Sequence, residues 1–244
     1  MLRQLAAVSG ALALALLSAK AASAHGAWIA ERWGELGVIY GHGAGDDRYA
    51  PERITSATAV AADGTTSPVT VEMRDGHAVL KPEAEPAAIT LEFDNGYWSE
   101  GADGKWVNKA KDEVPGAKSA GRYIKNNLTL VHPHGSLPDF PKQALQIVPL
   151  DNPVGRKAGD PIRLRVLYEG EPLAGAEVVL DYINLASSKS AKTDADGDVV
   201  VEIRNDGLNV LAVDHSVTLE GDPKADKIGY TATLSFVAEA HDHD

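Results

Sequence analysis

Helical periodicity is almost absent from this chain, and that constrains its fold more than any single motif. Apolar or alternating runs recur instead, each short and bounded by Gly, Pro, Asn or Asp, as strands and their turns require. In the first half they are Gly37 to Gly41, Ile54 to Ala62, Val69 to Met73, Ala78 to Lys81 and Ala87 to Phe93. In the second half they are Leu145 to Leu150, Pro161 to Tyr168, Ala176 to Tyr182, Val199 to Ile203, Leu208 to Val213 and Tyr230 to Val237. Between them lie Ala62-Asp63-Gly64, Arg74-Asp75-Gly76, Asp94-Asn95-Gly96, Glu169-Gly170-Glu171 and Asp196-Gly197. Asp-Gly and Asn-Gly pairs supply the positive φ of tight turns. The pattern predicts an all-β protein.

Ahead of the first run, residues 1–24 read as a signal peptide. Arg3 precedes an apolar stretch from Ala11 to Leu17, and Ala22-Ser23-Ala24 is a small-x-small cleavage pattern. The expected product is periplasmic, with no later apolar run approaching the ~20 residues of a membrane helix. Removing 24 of 244 residues leaves 220, room for two immunoglobulin-like β-sandwich domains. The expected layout is an N-terminal sandwich over 25–115, a connecting segment over 116–143, a C-terminal sandwich over 144–238 and a His/Asp tail over 239–244. Within the connection, Ser119 to Leu130 reads as a short helix or a strand, with helix favoured for its first half. No cysteine is present, so burial alone must hold the fold. The formal net charge of −12 becomes −14 without Arg3 and Lys20, which argues against a nucleic-acid partner.

Eight histidines in a cysteine-free chain mean that a transition-metal site would be built of nitrogen and oxygen. Cleavage after Ala24 would start the mature chain at His25, whose α-amine and imidazole together form a chelate. His42 lies in Tyr40-Gly-His-Gly43, straight after an apolar run, where flanking glycines allow a tight turn. His215 ends the late run Asn209 to His215, beside Asp214. Asp46, Asp47 and Asp214 are the carboxylates that could complete or orient such a site. His132 and His134 flank Pro133 with a spacing that puts both rings on one side of an extended segment, and the tail repeats it at His241 and His243. Each histidine taken singly is more often structural than a ligand.

Other motifs fail on inspection. Asp194-Ala-Asp-Gly-Asp198 lacks the glycine and glutamate of a calcium loop, since Val199 and Asn205 stand there, and it reads as a hairpin turn. Gly41 to Gly45 is no dinucleotide fingerprint, and no nucleophile elbow occurs. The four tryptophans read as core and interface anchors.

His25-Gly-Ala-Trp28, Tyr40-Gly-His-Gly43, Asp94-Asn-Gly-Tyr-Trp98, Ser119-Ala-Gly-Arg-Tyr123, Leu145 to Pro153 and Gly170 to Ala176 resemble the DUF4198 family of exported bacterial proteins. Members of that family carry labels as nickel or cobalt uptake components. The resemblance implies His25, His42 and His215 as metal positions. The leading expectation is a non-catalytic periplasmic protein that buffers or delivers nickel or cobalt, then copper or zinc, to a membrane metal transporter without itself being membrane-embedded. Binding should weaken below about pH 6, because imidazole and amine must lose protons to coordinate. The alternative is a structural or adaptor protein binding a protein or glycan partner, favoured if the three rings lie beyond ~10 Å of one another. A copper oxygenase using the terminal histidine is a third reading.

Overall fold

A computed structural model describes residues 25–239; the leader and the His241/His243 tail lie outside the described residues. Seventeen strands, β1 to β17, form three sheets. The largest has nine strands and runs the length of the molecule. Its order is β14 (Lys189–Lys192), β13 (Glu177–Val179), β16 (Leu208–Thr218), β17 (Lys227–Val237), β9 (Ser119–Leu130), β7 (Ala88–Glu100), β3 (Ile54–Val60) and β4 (Thr66–Pro68), with β8 (Trp106–Val107) also on β7. A second sheet is ordered β1 (Gly26–Arg32), β2 (Glu35–Gly41), β6 (His77–Lys81), β5 (Thr70–Arg74). The third joins β10 (Leu145–Pro149), β11 (Pro161–Tyr168), β12 (Glu171–Pro172) and β15 (Asp198–Glu202). Among the described residues one short α-helix, α1 (Tyr182–Leu185), starts at Asp181, whose carboxylate accepts from the Asn184 amide at 3.1 Å. No helix among the described residues is long and apolar enough to cross a membrane.

The all-β expectation holds, and two sandwiches are recognisable, but they share one sheet. The reason is β9. Ser119 to Leu130 is not the start of a helix within a connection: it is a strand at the centre of the large sheet, antiparallel to β7 and parallel to β17. Strand alternation then sorts the side chains. Leu128, Leu130, Leu234, Phe236, Leu211 and Val213 face the third sheet, meeting Leu145, Ile147, Leu164 and Val166. Ile89, Leu91 and Phe93 face the other way, onto Ala27, Ile29, Tyr40 and Leu80 of the β1 sheet. The two smaller sheets therefore cover opposite faces of the large one. Asp194 to Asp198 also departs from a simple hairpin, because the turn links β14 in the large sheet to β15 in the third.

Strand β1 explains the polar residues that disguise β9. It is the edge of its own sheet and stands against the face of β17. Ala27 and Ile29 pack on one side of it; Trp28 and Ala30 pack on the other, against Val210, Ala212 and Tyr182. Its outward carbonyls would be buried without partners, a cost of about 1–3 kcal/mol each. Hydroxyls of the large sheet meet them: Thr233 donates to Ala27 O at 2.5 Å and Ser235 to Ile29 O at 3.3 Å. Asn127 donates to Thr233 Oγ1 at 3.0 Å and to Ser235 Oγ at 3.2 Å, and Thr129 donates to Asn127 Oδ1 at 2.7 Å. Replacing Thr233 by valine keeps the shape and removes the donor. The expected loss is about 1–3 kcal/mol in urea unfolding; an unchanged midpoint would show that the ladder contributes nothing net.

Candidate metal centre

The register between β1 and β17 fixes where the chain's first described residue lies. Ala27 sits over Thr233 and Ile29 over Ser235, so β1 and β17 run in the same direction. Gly26 is pressed so closely on Tyr182 and Thr233 that an added Cβ would lie 3.1 Å from the Tyr182 ring and 3.2 Å from Thr233. His25 thus emerges at one end of the sheet with its backbone direction set by the ladder behind it.

Its ring is held on two sides. The Tyr40 ring stacks on it at 5.0 Å between centroids, and Tyr40 in turn stacks on buried Phe93 at 4.8 Å. Burial pushes the Tyr40 phenol up to about 12, with Arg53 opposing the shift. Nε2 of His25 meets Asp47 Oδ2 at 2.6 Å. A carboxylate on one imidazole nitrogen directs coordination to the other. Here that other nitrogen is Nδ1, the one that closes a six-membered chelate with the residue's own α-amine.

His42 follows β2 on a tight loop. Gly45 N donates back to His42 O at 3.2 Å and Asp47 N to Tyr40 O at 2.7 Å. A Cβ on Gly41 would stand 2.1 Å from the Gly45 carbonyl oxygen, so the loop closes only over glycine there. Tyr182, whose phenol is pushed up by burial, donates to Gly41 O at 3.2 Å, and its ring meets His42 edge-on at 5.8 Å. The His25 and His42 centroids are 6.5 Å apart, tilted by 45°. Two imidazoles on opposite sides of one ion, each nitrogen about 2.0–2.1 Å from it, place their centroids roughly 6 Å apart. The observed separation is of the size that two rings on one ion would have.

The other predicted ligands are elsewhere. His215 opposes Tyr230 in the β16–β17 register, on the face that meets the third sheet, and its ring lies 4.6 Å from Tyr168. His25 and His42 belong to the sheet on the opposite face, so the three-histidine site is not assembled, the arrangement expected to favour the structural or adaptor reading. Asp214, one residue earlier, points the other way and accepts from Thr231 at 2.7 Å. His132 and His134 are exposed just beyond the far end of β9, with His132 Nε2 3.3 Å from Glu85. Asp46 is engaged by Arg32. Among the described residues no group of three or more His, Asp or Glu side chains is placed to hold an ion. A centre at His25 and His42 therefore needs the α-amine as its third donor. Tyr40 and Tyr182, which position the two rings, carry no ligand signature in the sequence; only the stacking shows their role.

Comparison with known proteins gives relatives but adds no chemistry. An uncharacterized protein of Haemophilus influenzae is 29% identical over 166 residues, covering 67% of this chain and 70% of that protein. No solved structure gives a significant match. The DUF4198 family, described as a domain of unknown function, matches residues 22–217, which span β1 to nearly the end of β16 and include both histidines of the pair. The chain belongs to the DUF4198 family.

Proposed function

We propose that this protein is an exported, non-catalytic carrier of a divalent transition metal, held by the α-amine and Nδ1 of His25 together with the His42 ring. The observation that carries the reading is the 6.5 Å separation of the two rings, with Asp47 on the far nitrogen of His25. An all-nitrogen donor set without thiolate suits copper(II) or nickel(II). Delivery to a membrane uptake system in the periplasm follows as the physiological role. Asp214, His215, His132 and His134 take no part.

Processing is the switch in this reading, since the amine exists only once the peptide bond before His25 is cut. Calorimetric titration of chain beginning at His25 with copper(II) or nickel(II) is expected to give micromolar or tighter binding. A chain carrying one extra residue before His25 is expected to bind about 100-fold more weakly, the upper end of what even outer-shell changes cost. Equal affinity of the two forms would sink the amine-based site.

A further inference from the structure

His25 opens onto a cleft of about 1260 Å³, far more space than an ion and its donors fill. Its walls include the rings of Tyr40, Trp98 and Trp106. Most charges along it are already paired: Arg48 with Asp75 at 2.5 Å, and Arg74 with Glu72 at 2.8 Å and Glu35 at 3.3 Å. Arg53 is the exception. Its guanidinium is held by neutral acceptors, the Asn95 carbonyl at 3.1 Å, Asn95 Oδ1, and Asn108 Oδ1 at 2.7 Å. It makes no ion pair with any described carboxylate, so its charge is fixed in place without being neutralised. One further donor lines the same cleft, the buried Trp106 Nε1, which has no acceptor. Asn95, fully buried beside Arg53, already engages the Tyr40 hydroxyl through its side-chain amide. A buried donor in the state of Trp106 Nε1 is costly unless an acceptor arrives.

A fixed cation, an unused N–H donor and flat aromatic walls specify a ligand. We infer that the cleft binds a small organic anion with at least one carboxylate and a flat apolar body, and that the metal reaches His25 as a complex with that anion. The carboxylate pairs with Arg53 and accepts from Trp106 Nε1, while the flat body lies against Trp98 and Tyr40. Only the second half of the inference rests on the metal-carrier reading.

The test uses pyridine-2,6-dicarboxylate, alone and as its nickel(II) complex, on chain beginning at His25. Calorimetry reads affinity, and tryptophan fluorescence reads occupancy beside Trp98 and Trp106. The complex is expected to bind about tenfold more tightly than nickel(II) alone, the worth of one charge-assisted contact. Arg53→Met should abolish that gain and leave nickel(II) alone within about twofold; Arg53→Lys should retain most of it. If the wild-type chain binds nickel(II) and its complex equally, with no fluorescence response to the dicarboxylate, the anion site is overturned and the metal reading stands; this comparison needs no variant to fold. If the dicarboxylate alone quenches fluorescence in an Arg53-dependent way while nickel(II) does not bind, the anion site stands and the metal reading falls.

Discussion

Truncating Phe93 to alanine is expected to destabilise the protein by about 3–5 kcal/mol, the range for a buried aromatic removed from a core. Phe93 is fully buried and lies at the base of a column of rings. Tyr40 stacks on it at 4.8 Å with planes 13° apart, Tyr49 meets it edge-on at 5.3 Å, and His25 rests on the outer face of Tyr40. The void would open beneath Tyr40, whose displacement moves His25 relative to Asp47 and His42. Urea unfolding checks the stability loss. Metal titration of the variant, under conditions where it is still folded, checks the coupling: affinity should fall about tenfold or more, as for other losses of ligand support. Phe93→Leu should recover most of the stability but less of the affinity, because it fills volume without restoring the ring contact. Full metal affinity in a folded Phe93→Ala protein would show that the column does not position His25.

Replacing Lys125 by methionine is expected to do the reverse and stabilise the fold at neutral pH. The Lys125 side chain is fully buried, with its ammonium 3.1 Å from Thr231 Oγ1 and 5.7 Å from the Tyr123 ring. Burial lowers its pKa from 10.5 to about 8, and Asp214 offsets this only in part. A depressed ammonium pKa means that the unfolded chain binds the proton more tightly than the folded one. The penalty is therefore present in full below pH 8 and is relieved as pH rises from about 8 to 10.5. Its size is about 3 kcal/mol at 1.36 kcal/mol per unit. Methionine gives up one hydrogen bond worth about 1 kcal/mol but keeps the stem's packing. Thr231 still donates to Asp214, which is exposed, so no charge is stranded. A net gain of about 2 kcal/mol and a rise in Tm of roughly 4–8 °C are expected at pH 7. Wild-type stability should also climb between pH 8 and 10.5 more steeply than that of the variant. Loss of stability at pH 7 would show that the buried ammonium is better compensated than its surroundings indicate.

The strands with ordinary amphipathic patterns were legible in the sequence. Pro161–Tyr168 coincides with the predicted run, and β3, β6 and β10 lie within a residue or two of theirs. The failures share a cause. Strand β9 contains Lys125, Asn126, Asn127 and Thr129, all buried, and a reader of hydrophobicity takes such residues for surface. They are inside because β1 presents an edge of carbonyls to them, which no local pattern in β9 records. Strand β1 was missed for the complementary reason: apolar on both sides, Gly26 to Ala30 shows no alternation to detect. Of the proposed ligands, His25 and His42 meet because β1 and β2 pair directly, Gly26 opposite Gly41. His215 fails on parity alone. One step along β16 separates Asp214 from His215, and that step places the two side chains on opposite faces of the sheet.

Thr233 and Ser235 each reach back 206 residues to the carbonyls that hold β1 in place. Contacts of such separation carry a large loop-closure cost and slow folding. On the proposed reading, in which the chain is exported N-terminus first, His25 would enter early but gain the support behind β1 only once one of the last strands has docked against it. A chain truncated before β17 would still pair β1 with β2 but would lack those two hydroxyl contacts.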